Sequence, residues 1–160
     1  MWRKSGIRHL AAVINVKINI KPITDLLQQR IDLLKDKEYL LRPVAFDCVD
    51  LMTQRIHIKG VASDGKPIGT YSAPYLKYVR PKFNRSKDQN VIVSLTRQLE
   101  NDWSVIATDK GYGIGFKNPF NYKKARWVEA IKDRIIFDLS ASEKEFAINR
   151  LNELAAAALK

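Results

Sequence analysis

The sequence predicts an α+β fold: a small antiparallel sheet packed against a long kinked N-terminal helix pair and C-terminal helices. Three observations predict it. Trp103, Val105 and Ala107 alternate with Ser104, Ile106 and Thr108, and beyond Asp109-Lys110-Gly111 the residues Tyr112, Ile114 and Phe116 alternate with Gly113 and Gly115. Period two is the signature of a strand with one buried face. Between Thr24 and about Lys59 the apolar residues recur at helical spacing instead. Near the C-terminus, Ser140-Ala141-Ser142-Glu143 has the form of a capping box, and Ala147, Leu151, Leu154 and Ala158 behind it make an amphipathic helix.

In chain order, residues 1–12 form a basic arm carrying Trp2, Arg3 and Lys4. Val13–Ile20 places Ile14, Val16, Ile18 and Ile20 on one face, as a strand that is half buried or at an edge. Asn15, Lys17 and Asn19 interrupt this stretch at every second position, unlike a signal peptide. The expectation is therefore a mature protein made in the cytoplasm. Thr24 is the expected N-cap of the first helix, with Asp25 favouring the positive end of its dipole. Leu26, Leu27, Ile31, Leu33 and Leu34 follow at helical spacing. Pro43 lacks an amide hydrogen, so the helix is expected to kink or restart there. Beyond it lie two apolar stripes, Val44/Cys48/Leu51 and Ala45/Val49/Met52/Ile56. A straight pair would span roughly 50 Å at the α-helical rise. That exceeds what a compact domain needs, so part of the pair is expected to serve another subunit.

Gly60 ends the helix, and Asp64-Gly65, Lys66-Pro67 and Gly69 mark turns. Residues 73–90 form a long loop in which Lys77, Arg80, Lys82, Arg85 and Lys87 interleave with Tyr75, Tyr78 and Phe83. Loops of this length are usually functional or disordered. Val91 opens a further strand, then a short polar helical turn, then the hairpin. Asp109-Lys110-Gly111 reads as a three-residue hairpin loop with a glycine bulge. Asn118-Pro119 starts a helix carrying Ala125, Val128 and Ile131, and Arg134–Leu139 is a short strand or extended link.

The 160 residues fit one domain, with an apolar fraction of 46% and no run long enough to cross a membrane. One cysteine, Cys48, excludes an internal disulfide or a multi-cysteine zinc site. The net charge of +11 is clustered in the arm, in the loop and at Lys117, Lys123, Lys124 and Arg126. It favours polyanions or acidic protein surfaces, or else serves as a soluble basic surface. Alternating cations and rings in the loop suit a phosphate backbone with stacked bases, and equally a subunit interface.

Catalytic chemistry finds little material. Gly111, Gly113 and Gly115 sit on a hairpin, whereas a nucleotide fingerprint lies between a strand and a helix. These glycines are expected to meet another backbone or a ring packed across them. His57 has only His9 as a fellow histidine, and the Cys48 stripe points to the core. Trp103 and Trp127 read as core or interface anchors. The expectation is a noncatalytic chain with no cofactor and no metal.

Two segments carry a resemblance. RIHIKGVASDGKPIGTYS (55–72) runs a helix end into a D-G-K-P-I-G turn; VSLTRQLENDWSVIATDKGYGIGFKN (93–118) followed by NYKKARWVEA (121–130) gives strand, L-T-x-x-L, hairpin and helix. Together they resemble the virion-morphogenesis and tail-completion (neck) proteins of tailed bacteriophages, the Mu-like group in particular. Many members have a glycine soon after the L-T pair, where this chain has Arg97 and Gln98. The resemblance implies a long N-terminal helix, a small antiparallel sheet, a later helix, and subunits arranged as a ring at the head–tail junction. It implies portal or adaptor and tail-tube proteins as partners, nonspecific contact with packaged DNA, and a place in the virion neck or tail after assembly in the host cytoplasm. Trp2, Arg3, Lys4 and the loop residues Tyr75 to Lys87 are the expected interface or DNA-facing residues. A small nonspecific nucleic-acid-binding protein is the alternative, since charge alone supports nonspecific contact.

Overall fold

The computed structural model describes residues 21–83 and 89–160. The expected basic arm with Trp2, Arg3 and Lys4, the strand Val13–Ile20, and Arg85 and Lys87 of the loop lie outside the described residues. The chain runs through helices α1 (Lys21–Lys35), α2 (Lys37–Thr53), α3 (Ala73–Tyr78) and α4 (Gln98–Asp102). The hairpin β1 (Trp103–Thr108) and β2 (Gly111–Phe116) follows, then α5 (Pro119–Lys132) and α6 (Ala141–Ala158). The class is α+β: α2 is the central element, touching α1, both strands of the antiparallel hairpin, and α6.

Three details of the helix pair differ from expectation. Thr24 does not cap α1; it lies within the helix, and its hydroxyl donates to the Lys21 carbonyl at 2.8 Å. The break between the two helices falls at Asp36, whose carboxylate accepts from the amides of Glu38 (2.8 Å) and Tyr39 (3.4 Å). An aspartate in extended conformation satisfies orphan amides of a new helix, so the chain restarts where a cap is on offer. Pro43 is carried inside α2 without interrupting it.

α2 ends in a widened π-helical turn, Gln54–Ile58, in which the Lys59 amide donates to the Gln54 carbonyl at 3.0 Å. The wider turn and the chain wrapped beyond it bury three consecutive residues, Arg55, Ile56 and His57. Gly60 then takes a left-handed φ of +65°, and a Cβ there would meet the Val91 carbonyl oxygen at 2.4 Å. Only glycine permits both the backbone conformation and the close approach. Ile68 and Val91 amides return to Gly60 and Gly69 carbonyls at 2.8 and 2.9 Å, closing this corner.

The core gathers Met52, Ile56, Ala62, Ile68, Val91, Trp103 and Ile136. Of the two predicted α2 stripes, the one with Ala45, Met52 and Ile56 is buried; in the other Cys48 is buried as expected, whereas Leu51 is exposed. Trp103 meets Phe116 and Phe137 at ring-centroid distances of 4.8 and 5.5 Å, an aromatic trio in tilted geometry.

The hairpin register pairs Trp103 with Phe116 and Thr108 with Gly111, leaving Asp109-Lys110 as the turn. Gly111 has φ +140°, and a Cβ would come within 2.9 Å of Leu41. No other backbone or ring lies across Gly115: the side chain of Ile106 does. The expected strand at Val91 is an extended segment with only an isolated bridge between Thr70 and Asn90. Arg134–Leu139 is likewise a link and not a strand. Asn118 caps α5 through its bond from the Phe120 amide (2.9 Å), and Ser140 and Glu143 form the full capping box of α6.

Candidate functional site

The described part of loop 73–90 contains regular helical turns. Its ends are pinned by the Tyr71 amide on the Gln89 carbonyl (2.8 Å) and the Val91 amide on Gly69. Between them run α3, with Pro74 in its first turn, and a 3-10 turn, Arg80–Phe83.

The predicted surface of alternating cations and rings divides in two. Arg80 is fully buried, with its guanidinium 4.5 Å from the centroid of the Tyr71 ring. Tyr75 is half-buried and stacks on the same ring at 5.1 Å. Arg80 is therefore a packing residue, while Tyr75 packs on Tyr71 and also lines a cleft. Tyr71, the ring they both use, was not singled out by the sequence. Its hydroxyl bonds the Ile92 carbonyl, and burial pushes its phenol up against the downward pull of Arg80. Lys77, Tyr78, Lys82 and Phe83 remain exposed.

Polar residues buried at the end of α2 hold the fold together. Arg55 Nε donates to Glu143 at 2.8 Å, and its terminal nitrogens donate to the carbonyls of Val61 (3.1 Å), Ile136 (3.2 Å) and Asp138 (2.7 Å). One guanidinium thereby fastens α2, the 60–69 corner, the link and α6. Glu129 of α5 accepts the amides of Ile136 and Phe137 at 2.8 and 2.9 Å. Side chains satisfy the link's buried amides, so the link needs no strand partner.

His57 Nδ1 donates to the Val93 carbonyl at 2.7 Å, and burial pulls its pKa below the ordinary 6.5. Burial pushes the Cys48 thiol up, aided by Glu143 and Asp47, so the thiol stays protonated at neutral pH. Neither presents an activated group to solvent. Among the described residues no three His, Cys, Asp or Glu side chains gather as a metal site requires, and no helix is long and apolar enough to cross a membrane.

What the described surface does display is apolar side chains. α1 buries none of its residues. Ile23 and Leu27 are 59% and 54% exposed, and Leu26, Ile31 and Leu33 are also open to solvent. Arg30 ties α1 to the C-terminus through the Ala158 carbonyl. The inward side of α5 is Asn121, Ala125 and Glu129, while Phe120 (71%) and Trp127 (70%) stand outward with Lys123 between them. Trp103 anchors the core, whereas Trp127 stands outside it.

A cleft of about 580 Å³ opens between α5, the 91–99 segment and the Tyr71–Tyr75 corner. Val93, Leu95, Leu99, Trp127, Val128 and Ile131 line it. Arg97, Lys124 and Lys132 stand among the lining residues, which include no carboxylate. Lys124 Nζ donates to Gln98 at 2.6 Å, and the Asp102 carboxylate accepts from the Asn118 amide and the Asn121 amide group at 2.9 and 3.0 Å. These bonds join α5 to α4 beside the cleft. Arg97 occupies a left-handed φ of +59° at the start of α4. This is a backbone position that suits glycine.

Compared with known protein families, curated proteins and solved structures, the chain matches none.

Proposed function

We propose that the chain is a noncatalytic structural subunit of a tailed-phage virion, a neck or tail-completion protein that assembles into a ring at the head–tail junction. The observation that carries this reading is the bare apolar stripe of α1 beside an otherwise closed core. An amphipathic helix whose apolar side chains face water is an interface awaiting its partner. The resemblance of residues 55–72 and 93–130 to neck proteins supports the phage setting, because these residues supply the corner, hairpin and α5 that meet around one core. In this reading portal or adaptor and tail-tube proteins are the neighbours, and repeated contacts between copies close the ring. A closing ring uses heterologous contacts, and a stable one buries about 800 Å² per partner. Purifying the protein with its connector partners and imaging by electron microscopy tests the reading. Rings that join portal to tail, and the chain's presence in purified virions, are expected. Absence from virions sinks it.

A second reading, nonspecific nucleic-acid binding, draws on the outward face of α5. There Phe120 and Trp127 are open to stacking and Lys123 Nζ lies 5.9 Å from the Phe120 ring centroid. Binding of this kind weakens steeply with salt. Oligothymidylate affinity that ignores salt, or survives replacement of Phe120, Lys123 and Trp127 by alanine, rejects it.

A further inference from the structure

We infer that the cleft between α5 and residues 91–99 is a docking groove for an acidic amphipathic segment of another protein. The inference goes beyond the phage reading and stands whether or not the chain belongs to a virion. Two features of the cleft define the occupant. Its lining brings Val91, Val93, Leu95, Leu99 and Val128 together with the exposed Trp127 and Ile131 along the α5 side, so the occupant brings apolar side chains. Such a groove accepts a helix through anchors at i, i+3 and i+4 spacing. Arg97, Lys124 and Lys132 are the charged residues of the lining, with no acid among them, so the occupant carries Asp or Glu beside its anchors.

Charge also decides between sources. A second copy of this chain brings a net charge of +11 to a basic groove, and like charges oppose that docking. α1, the apolar ridge a second copy would offer, carries Lys21, Arg30 and Lys35 against Asp25 and Asp32 and supplies no excess of acid. Single-stranded nucleic acid has the right charge. However, its recognition rests on open aromatic platforms, and of the lining rings Tyr71 and Tyr75 are half-buried and stacked on each other, which leaves Trp127 as the open one. An acidic protein segment satisfies both the lining and the charges.

A display library of random 18-residue peptides, panned on the intact chain, tests this directly. Enriched peptides should combine helical apolar spacing with net negative charge. A synthetic copy of the leading peptide should bind the wild type and lose at least tenfold in affinity to Trp127→Ala, and again to Lys124→Glu/Lys132→Glu. Both variants alter exposed or half-exposed side chains, and an unchanged unfolding midpoint confirms that they fold. Amide shifts in the NMR spectrum should map to residues 91–99 and α5. No enrichment, enrichment of basic or neutral peptides, or binding indifferent to both variants overturns the inference. Displacement of the peptide by the chain's own α1 peptide at equal concentration overturns it in favour of a second copy. Tighter binding of oligothymidylate at the same residues overturns it in favour of nucleic acid. Failure to find the chain in virions leaves this result untouched, so the two readings fail separately.

Discussion

The two ends of the long helix α2 are built on opposite principles. At its C-terminal end, Arg55, Ile56 and His57 are buried together, and Arg55 alone serves a carboxylate and three carbonyls. Beyond its N-terminal end, α1 buries no residue and turns Ile23, Leu26 and Leu27 to solvent. One end is finished within a single chain. The other is a helix that touches α2 and α6 but leaves most of its apolar side chains open to solvent. The contrast places stability at the closed end, and the proposed function places assembly at the open end; mutations should separate the two.

The largest effect is expected from Arg55→Ala. It leaves Glu143 buried without its charge partner and removes the donor from three carbonyls, a loss of about 3–5 kcal/mol. Urea denaturation should show most of a typical domain's stability gone. Met52→Ala, in the core beside it, should cost about 2–5 kcal/mol by the same measurement. Leu27→Ala on α1 removes a similar side chain from the open end and should change the stability of the monomer by less than about 0.5 kcal/mol. Equal losses at Met52 and Leu27 would break the contrast.

Acid should weaken the closed end first. His57 has a folded pKa below its ordinary 6.5, so the unfolded chain binds the extra proton. Its neutral form contributes full stability above pH 6.5, and that contribution is lost as pH falls from there through the lowered value. Denaturation midpoints should therefore decline already between pH 6.5 and about 5, above the range where ordinary carboxylates titrate. A flat profile in that window would remove His57 from the account. The smallest predicted effect is a gain. Arg97→Gly relieves a left-handed residue at the start of α4 and should stabilise by about 1 kcal/mol, read as a higher unfolding midpoint.

What was legible in the sequence is what short-range chemistry decides. The hairpin, the Asn118-Pro119 start of α5, the Ser140 capping box and the Gly60 stop all depend on residues within a few positions of one another. The helix break was misplaced for a related reason. Pro43 carries a visible penalty, but Asp36 offers a cap, and a good cap decides where a helix starts. Arg55–Glu143 and Glu129–Ile136 could not be read, because nothing local tells a structural charge from a solvated one. Arg80 shows the same limit. In the sequence it belongs with Lys77 and Lys82, and its packing against the Tyr71 ring is a contact that no local pattern announces. The exposed stripe of α1 was legible as an apolar face, and its length hinted at a neighbour, but its lack of cover required the fold.

The central claim is that α1 is an assembly surface. Sedimentation velocity on the purified chain, over a range of concentrations, tests it against the double substitution Leu26→Asp/Leu27→Asp. The account predicts a discrete oligomer for the wild type, and a monomer with an unchanged unfolding midpoint for the variant. A wild type that stays monomeric at every concentration, or a variant that assembles equally well, would contradict it.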